Sequence, residues 1–168
     1  MTMNLHAASA PIFSQMLANL DVCLGKAEAF AQARRFDSAN YLALRLAPDM
    51  LPLASQIRIA SDIARMTMAR LAGVDMVRYA DDELTIDALR QRLRQSCEVL
   101  SSFDAAVVNA AEDREIVLPQ RTGEPLRFNG CSLLQRWALP NFFFHVTTAY
   151  ALLRHAGVEV GKADFLGV

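Results

Sequence analysis

Glycine and proline are scarce in this chain, at 7 and 6 of 168 residues. That scarcity argues against a turn-rich β fold and against a disordered chain. Histidine is scarcer still: His6, His145 and His155 are the only three, so a site built of histidines alone has little raw material. The three cysteines, Cys23, Cys97 and Cys131, are odd in number and form no C-x-x-C. Buried thiols in a reducing compartment follow, and Cys131, near a loop, is the one position where a reactive thiol is conceivable. No charge sign dominates, with 17 Lys and Arg against 18 Asp and Glu and a formal net charge of -1. There is no long basic run, and Arg90, Arg92 and Arg94 read as a solvated helix face answered by nearby acids. Nucleic-acid binding gets no electrostatic support.

Long uninterrupted apolar runs are missing as well. Leu133 to Leu153 is broken by Gln135, Arg136, Pro140, Asn141 and His145, too polar for a spanning helix. Met1 to Phe13 has no basic stretch followed by an apolar core and does not read as a signal peptide. No membrane association and a cytoplasmic location are the expectation. G-x-S-x-G, H-E-x-x-H and paired C-x-x-C motifs are all lacking. Gly157 to Lys162 is one residue short of a phosphate loop, and Ala163 replaces the required hydroxyl.

What is abundant is core material, at 53% hydrophobic residues. The length suits one domain, 1–168. Phe13, Leu17, Leu20, Leu24, Ala27 and Ala31 recur at helical spacing and predict a first helix from Ser9, a plausible cap, to Ala33. A second is predicted from near Pro48 to Gly73, with Met50, Leu53, Ile57, Ala60, Ala64, Met68 and Leu71 as its stripe and Gly73 as its stop. A third begins at Thr85 and carries Ile86, Leu89, Leu93, Leu100 and Val107. Glu115 to Asn129 breaks the period, and Ile116–Leu118 and Leu126–Phe128 around Arg121 to Glu124 predict a short hairpin or extended loop. The last helix is expected from Ser132, with Gln135 completing a capping box, to just before Gly157. Pro140 should kink or split it. The tail should pack through Val160, Phe165 and Leu166. Four long helices with core-facing stripes imply an all-α four-helix bundle.

The last helix carries one polar stripe in otherwise apolar surroundings. Asn141, His145 and Thr148 share a face. Polar groups there need partners. On the second helix Asp49 and Gln56, seven apart, could supply them across the bundle. Two readings stand side by side: a satisfied network that fixes helix register, and a small-molecule or metal pocket in the bundle core. His145 is placed within hydrogen-bond or one-water reach of Asn141, Gln56 or both. The apolar excess of the last helix, in Leu134, Phe142, Phe143, Val146, Tyr150 and Leu153, predicts a homodimer.

Leu46-Ala47-Pro48-Asp49-Met50, Pro140-Asn141-Phe142-Phe143-Phe144-His145, Leu153 to Val158 and the closing Gly161 to Gly167 resemble a bacterial family of unknown function grouped with the DinB/YfiT-like helical bundles. The resemblance covers nearly the whole chain. It implies a DinB-like four-helix bundle, often homodimeric, and no established activity. Better-known relatives hold a divalent metal on three histidines, and some are thiol-dependent transferases or isomerases. Aligned on that pattern, His145 matches one ligand position, Asn141 another, and Gln56 falls near the third. Asn and Gln are weak ligands for zinc or nickel. The functional expectations are therefore a small-molecule-binding bundle, a metal-dependent enzyme of the thiol-transferase kind, or a non-catalytic structural dimer.

Overall fold

A computed structural model of the chain describes residues 4–120 and 122–168. Arg121, in the expected hairpin connection, and the first three residues of the segment weighed as a signal peptide lie outside the described residues. Four long helical runs form the bundle: α1 (Ala10–Ala33), α2 (Leu53–Ala72), α3 (Ile86–Ser101) and a last run that starts as α5 (Gly130–Leu133) and ends as α6 (Leu139–His155). α1 packs on α3 and α6, and α2 packs on α3 and α6, closing a ring of four. Short α4 (Ala105–Asn109) packs on α2 and α7 (Lys162–Leu166) on α1, and a hairpin of β1 (Ile116–Leu118) and β2 (Leu126–Phe128) precedes the last run. The two strands pair antiparallel, Ile116 opposite Phe128 and Leu118 opposite Leu126. Among the described residues no helix is long and apolar enough to cross a membrane.

Some helix ends depart from the expected ones, each for a local reason. Ser9 stands at the α1 cap position, but its hydroxyl donates back to the carbonyl of Leu5 at 2.7 Å instead of accepting from the helix. α2 begins at Leu53, not near Pro48. Pro52 holds an extended ψ of 166° at the cap, a proline disfavours helical backbone in the residue before it, and the Leu53 amide is bonded to the Leu44 carbonyl at 2.9 Å. Met50 is consequently outside the helix. α3 begins at Thr85 as expected, its hydroxyl accepting from the Ala88 amide, but it ends at Ser101. Asp104 then caps α4 through the Ala106 and Val107 amides. Val107 is exposed and Val108 is the buried residue.

The last run starts at Gly130, and its capping box joins Asn129 to Ser132, not Ser132 to Gln135. Gly130 is placed where a Cβ would come within 2.2 Å of the Ala111 carbonyl oxygen, so α5 can approach α4 only through a glycine. Ahead of Pro140 the chain takes one π turn, Leu134–Ala138. The wider turn breaks the α-helical ladder where a proline ring would otherwise meet a carbonyl.

The core runs through all four helices, and Phe13 meets Phe142 edge-on at 4.8 Å between ring centres. Leu134, Phe142, Val146 and Leu153 are all buried, and Phe143 and Tyr150 are partly so. One chain thus absorbs most of the apolar excess from which a homodimer is expected, and the large exposed apolar residue of α6 is Phe144. Val158 and Val160 are buried and Phe165 stacks on Tyr150, whereas Leu166 of the tail is exposed.

Candidate functional site

α2 and α6 run antiparallel: His145, well along α6, reaches Gln56 near the start of α2, while the π turn before α6 also touches α2. On α2, Arg58, Asp62, Met66 and Arg70 follow at steps of four and so share one face, with Ile59 and Ile63 beside them. On the facing run Trp137, Asn141 and His145 do the same. These two faces, with Arg78 and Asp81 from the segment between α2 and α3, line a half-open cavity of about 240 Å³.

His145 is half-buried at one end of it. Its Nδ1 lies 2.6 Å from Gln56 Oε1, and Gln56 Nε2 donates to the Leu51 carbonyl at 3.0 Å. The second bond orients the amide, so its oxygen faces the ring. An amide oxygen can only accept, and Nδ1 therefore carries the proton. Nε2 is left as the unengaged acceptor on a ring that lines the cavity. Burial lowers the His145 pKa from its ordinary value, which favours the neutral ring that this tautomer requires.

The other expected site residues divide. Gln56 is buried and joined to His145. Asn141 shares the cavity wall, but its side-chain amide donates to the Trp137 carbonyl at 2.7 Å, not to Gln56 or His145. Thr148 is buried one turn on, and its hydroxyl donates to the Phe144 carbonyl, so it leaves the polar stripe. Asp49 is in an exposed turn ahead of α2, and the shared helical face with Gln56 does not exist, because helical backbone begins only at Leu53.

The larger polar feature is one that sequence reasoning missed. Arg92 is 2% exposed, not on a solvated face. It donates to Asp62 at 2.9 Å, to Glu83 at 2.7 Å and to the Ala80 carbonyl at 2.9 Å. Arg65, also buried, donates to Asp62 at 2.6 Å and stacks its guanidinium 3.4 Å above the Tyr79 ring centre. Arg58 donates to Glu83 at 2.7 Å. Burial alone would raise the Glu83 carboxyl, but hydrogen bonds from Arg92, its own backbone and Arg58 hold it below the ordinary carboxylate range. This network pins the 74–85 segment onto α2 and α3 and so builds the third wall of the cavity.

A divalent metal of the kind the resemblance implies does not fit these residues. One imidazole is present, Gln56 has its oxygen and nitrogen both engaged, and Asp62 is held by two arginines. Among the described residues no three His, Cys, Asp or Glu side chains are grouped to hold a metal ion. The thiols are not activated either. Burial pushes Cys23 up to about 11, and burial together with Glu112 raises Cys131.

The neutral His145 has a pH signature. Its folded pKa is lowered, so the unfolded chain binds the extra proton first. Its contribution to stability is present above about pH 6.5 and is lost as pH falls through 6.5 toward the folded value. Thermal melts between pH 8 and pH 5.5 should show wild type losing stability relative to His145→Leu. Parallel curves for the two proteins would contradict a desolvated neutral ring.

Residues 5–166 match the family model described as a domain of unknown function, DUF1993. The chain is also similar to a solved structure of a DinB family member from Shewanella denitrificans, with 40% identity, 98% of this chain and 92% of that chain covered, and a TM-score of 0.85. None of the curated proteins matches it.

Proposed function

The chain belongs to the DUF1993 family, a domain of unknown function, and has the DinB-like helical bundle fold; from that premise we propose that the cavity between α2 and α6 binds a small molecule, with His145 Nε2 as its hydrogen-bond acceptor. The observation that carries this reading is the Gln56–His145 contact at 2.6 Å. It engages Nδ1 and leaves Nε2 with a free lone pair on a ring that lines the cavity. A group that only fixed helix register would have no need of a space beside it. The cavity is smaller than the roughly 300–1,000 Å³ of sites for drug-sized ligands, which points to a ligand of smaller volume.

The tie from Gln56 to the Leu51 carbonyl supports a second, structural use of the same contact: it anchors the irregular 44–52 segment against the last helix. The two uses separate in one experiment. Ligand-observed NMR against a panel of small organic acids, amines and sugars, run on wild type and His145→Leu, reads binding. A ligand contact through Nε2 predicts at least one compound class that loses about tenfold or more in affinity in the variant, the equivalent of one good hydrogen bond to a charged or buried group. Thermal melts of the variant report folding separately. A folded His145→Leu protein that binds every compound as wild type does would leave only the structural use.

A further inference from the structure

The charges around the cavity do not cancel evenly. Asp62 is bound by Arg65 and Arg92, Glu83 by Arg58 and Arg92, and Asp81 by Arg92 at 3.3 Å. Three arginines thus answer three carboxylates. Arg70 and Arg78 are left over. Both line the cavity, and among the described residues the side chain of neither is paired with a carboxylate or donates a hydrogen bond. Burial depresses the Arg70 guanidinium, and Arg78 depresses it further, so the two cations are near enough to repel.

The last turn of a helix suits a cation, and this explains why Arg70 is tolerated at the end of α2. The ion pairs of Glu83 and Asp81 hold the 74–85 segment against α2 and α3, and this brings Arg78, itself exposed, to the same cavity. Two forked, permanently charged donors lining one space, Arg70 half-buried and Arg78 exposed, match the oxygens of a carboxylate or a phosphoryl group. The acids on the same wall do not oppose this, since Asp62 is held by two arginines and Asp81 is 66% exposed.

We infer that Arg70 and Arg78 bind the oxyanion head, a carboxylate or phosphoryl group, of the ligand that the cavity takes. This rests on the reading of the cavity as a ligand site and names the chemical class of its ligand. Arg58 and Arg70 are about three turns apart, roughly 18 Å along α2, and His145 is joined to Gln56 at the end away from Arg70. The oxyanion therefore occupies the Arg70 end, and the body of the molecule extends past Met66 and Trp137 toward His145.

Titrations of full-length protein with inorganic phosphate and with malonate, at low ionic strength and followed by amide and imidazole NMR shifts, test this. Arg70→Gln and Arg78→Gln should each weaken the better of the two anions by about tenfold or more. Arg127→Gln, which removes the same charge from the exposed hairpin, should leave binding within about twofold. Tighter phosphate than malonate assigns a phosphoryl head, and the reverse assigns a carboxylate. No saturable binding of either anion, or equal binding by all four proteins, would overturn the inference. If compounds bind in a His145-dependent way while Arg70→Gln and Arg78→Gln change nothing, the ligand site stands and its oxyanion class fails. If anions bind through the arginines and no compound in the panel depends on His145, the ligand site reading fails and the arginine pair is an isolated surface anion site, which overturns the inference as stated.

Discussion

Replacing Arg92 with alanine is expected to lower stability by about 3 kcal/mol, the lower end of what removing one partner from a buried charge network costs. The lower end applies because Asp62 keeps Arg65 and Glu83 keeps Arg58. For a chain of this length each kcal/mol moves the melting temperature by about 2–4 °C, so a fall of roughly 6–12 °C should be visible. The loss should also depend on pH. Glu83 has a depressed folded pKa, so its pairing contributes stability above the unfolded value of about 4.5, and that contribution is lost as pH falls through the folded value. The gap between wild type and Arg92→Ala should therefore be widest near neutral pH and narrow in acid. Denaturant melts at pH 7 and pH 4 measure it. A gap below about 1 kcal/mol at pH 7, or one that does not change with pH, would mean that the network is held as loosely as a surface ion pair.

Phe142→Ala should cost about 3–5 kcal/mol, the usual range for emptying a buried aromatic site. The ring is fully buried and meets Phe13 edge-on at 4.8 Å and Phe143 at 5.6 Å. Because α1 and α6 meet there, the site cannot collapse without moving a helix. Two residues on, Phe144 is 54% exposed, and Phe144→Ala should change stability by no more than about 0.5 kcal/mol. The contrast isolates packing from composition, since both substitutions remove the same side chain from the same helix. Similar losses from both would show that the face of α6 is misassigned.

The bundle was legible because its stripes are long. Phe13 to Ala31 and Leu53 to Leu71 repeat over five or more turns, and such periodicity survives errors at the ends. The ends themselves were not legible. Pro48 and Pro52 both look acceptable in a first turn, and only the bond from the Leu53 amide to the Leu44 carbonyl decides between them. At the site, spacing along one helix found His145 and Asn141, and the requirement that buried polar groups be paired found Gln56. Asp49 failed because a shared face presumes helical backbone that Pro52 ends.

The arginine network was missed for a different reason. Arg92 has exposed Arg94 two residues on and partly exposed Arg90 two residues before it, and alternate residues on a helix face different ways. Nothing in spacing says that the acidic 74–85 segment returns across α2 and α3 to cover this one. A signal was present, however. Arg58, Asp62 and Arg65 put charge at helical spacing beside the apolar stripe of α2, and such charges near a core need partners from another element. The run Asp81-Asp82-Glu83 was the nearest supply.

The ligand site depends on the state of one imidazole. Nitrogen-resolved NMR of the His145 ring at pH 7.5 tests it most directly. The expected result is a neutral ring protonated on Nδ1, with Nε2 unprotonated. A ring protonated on Nε2, or charged at that pH, would contradict the role assigned to Gln56 and with it the ligand site.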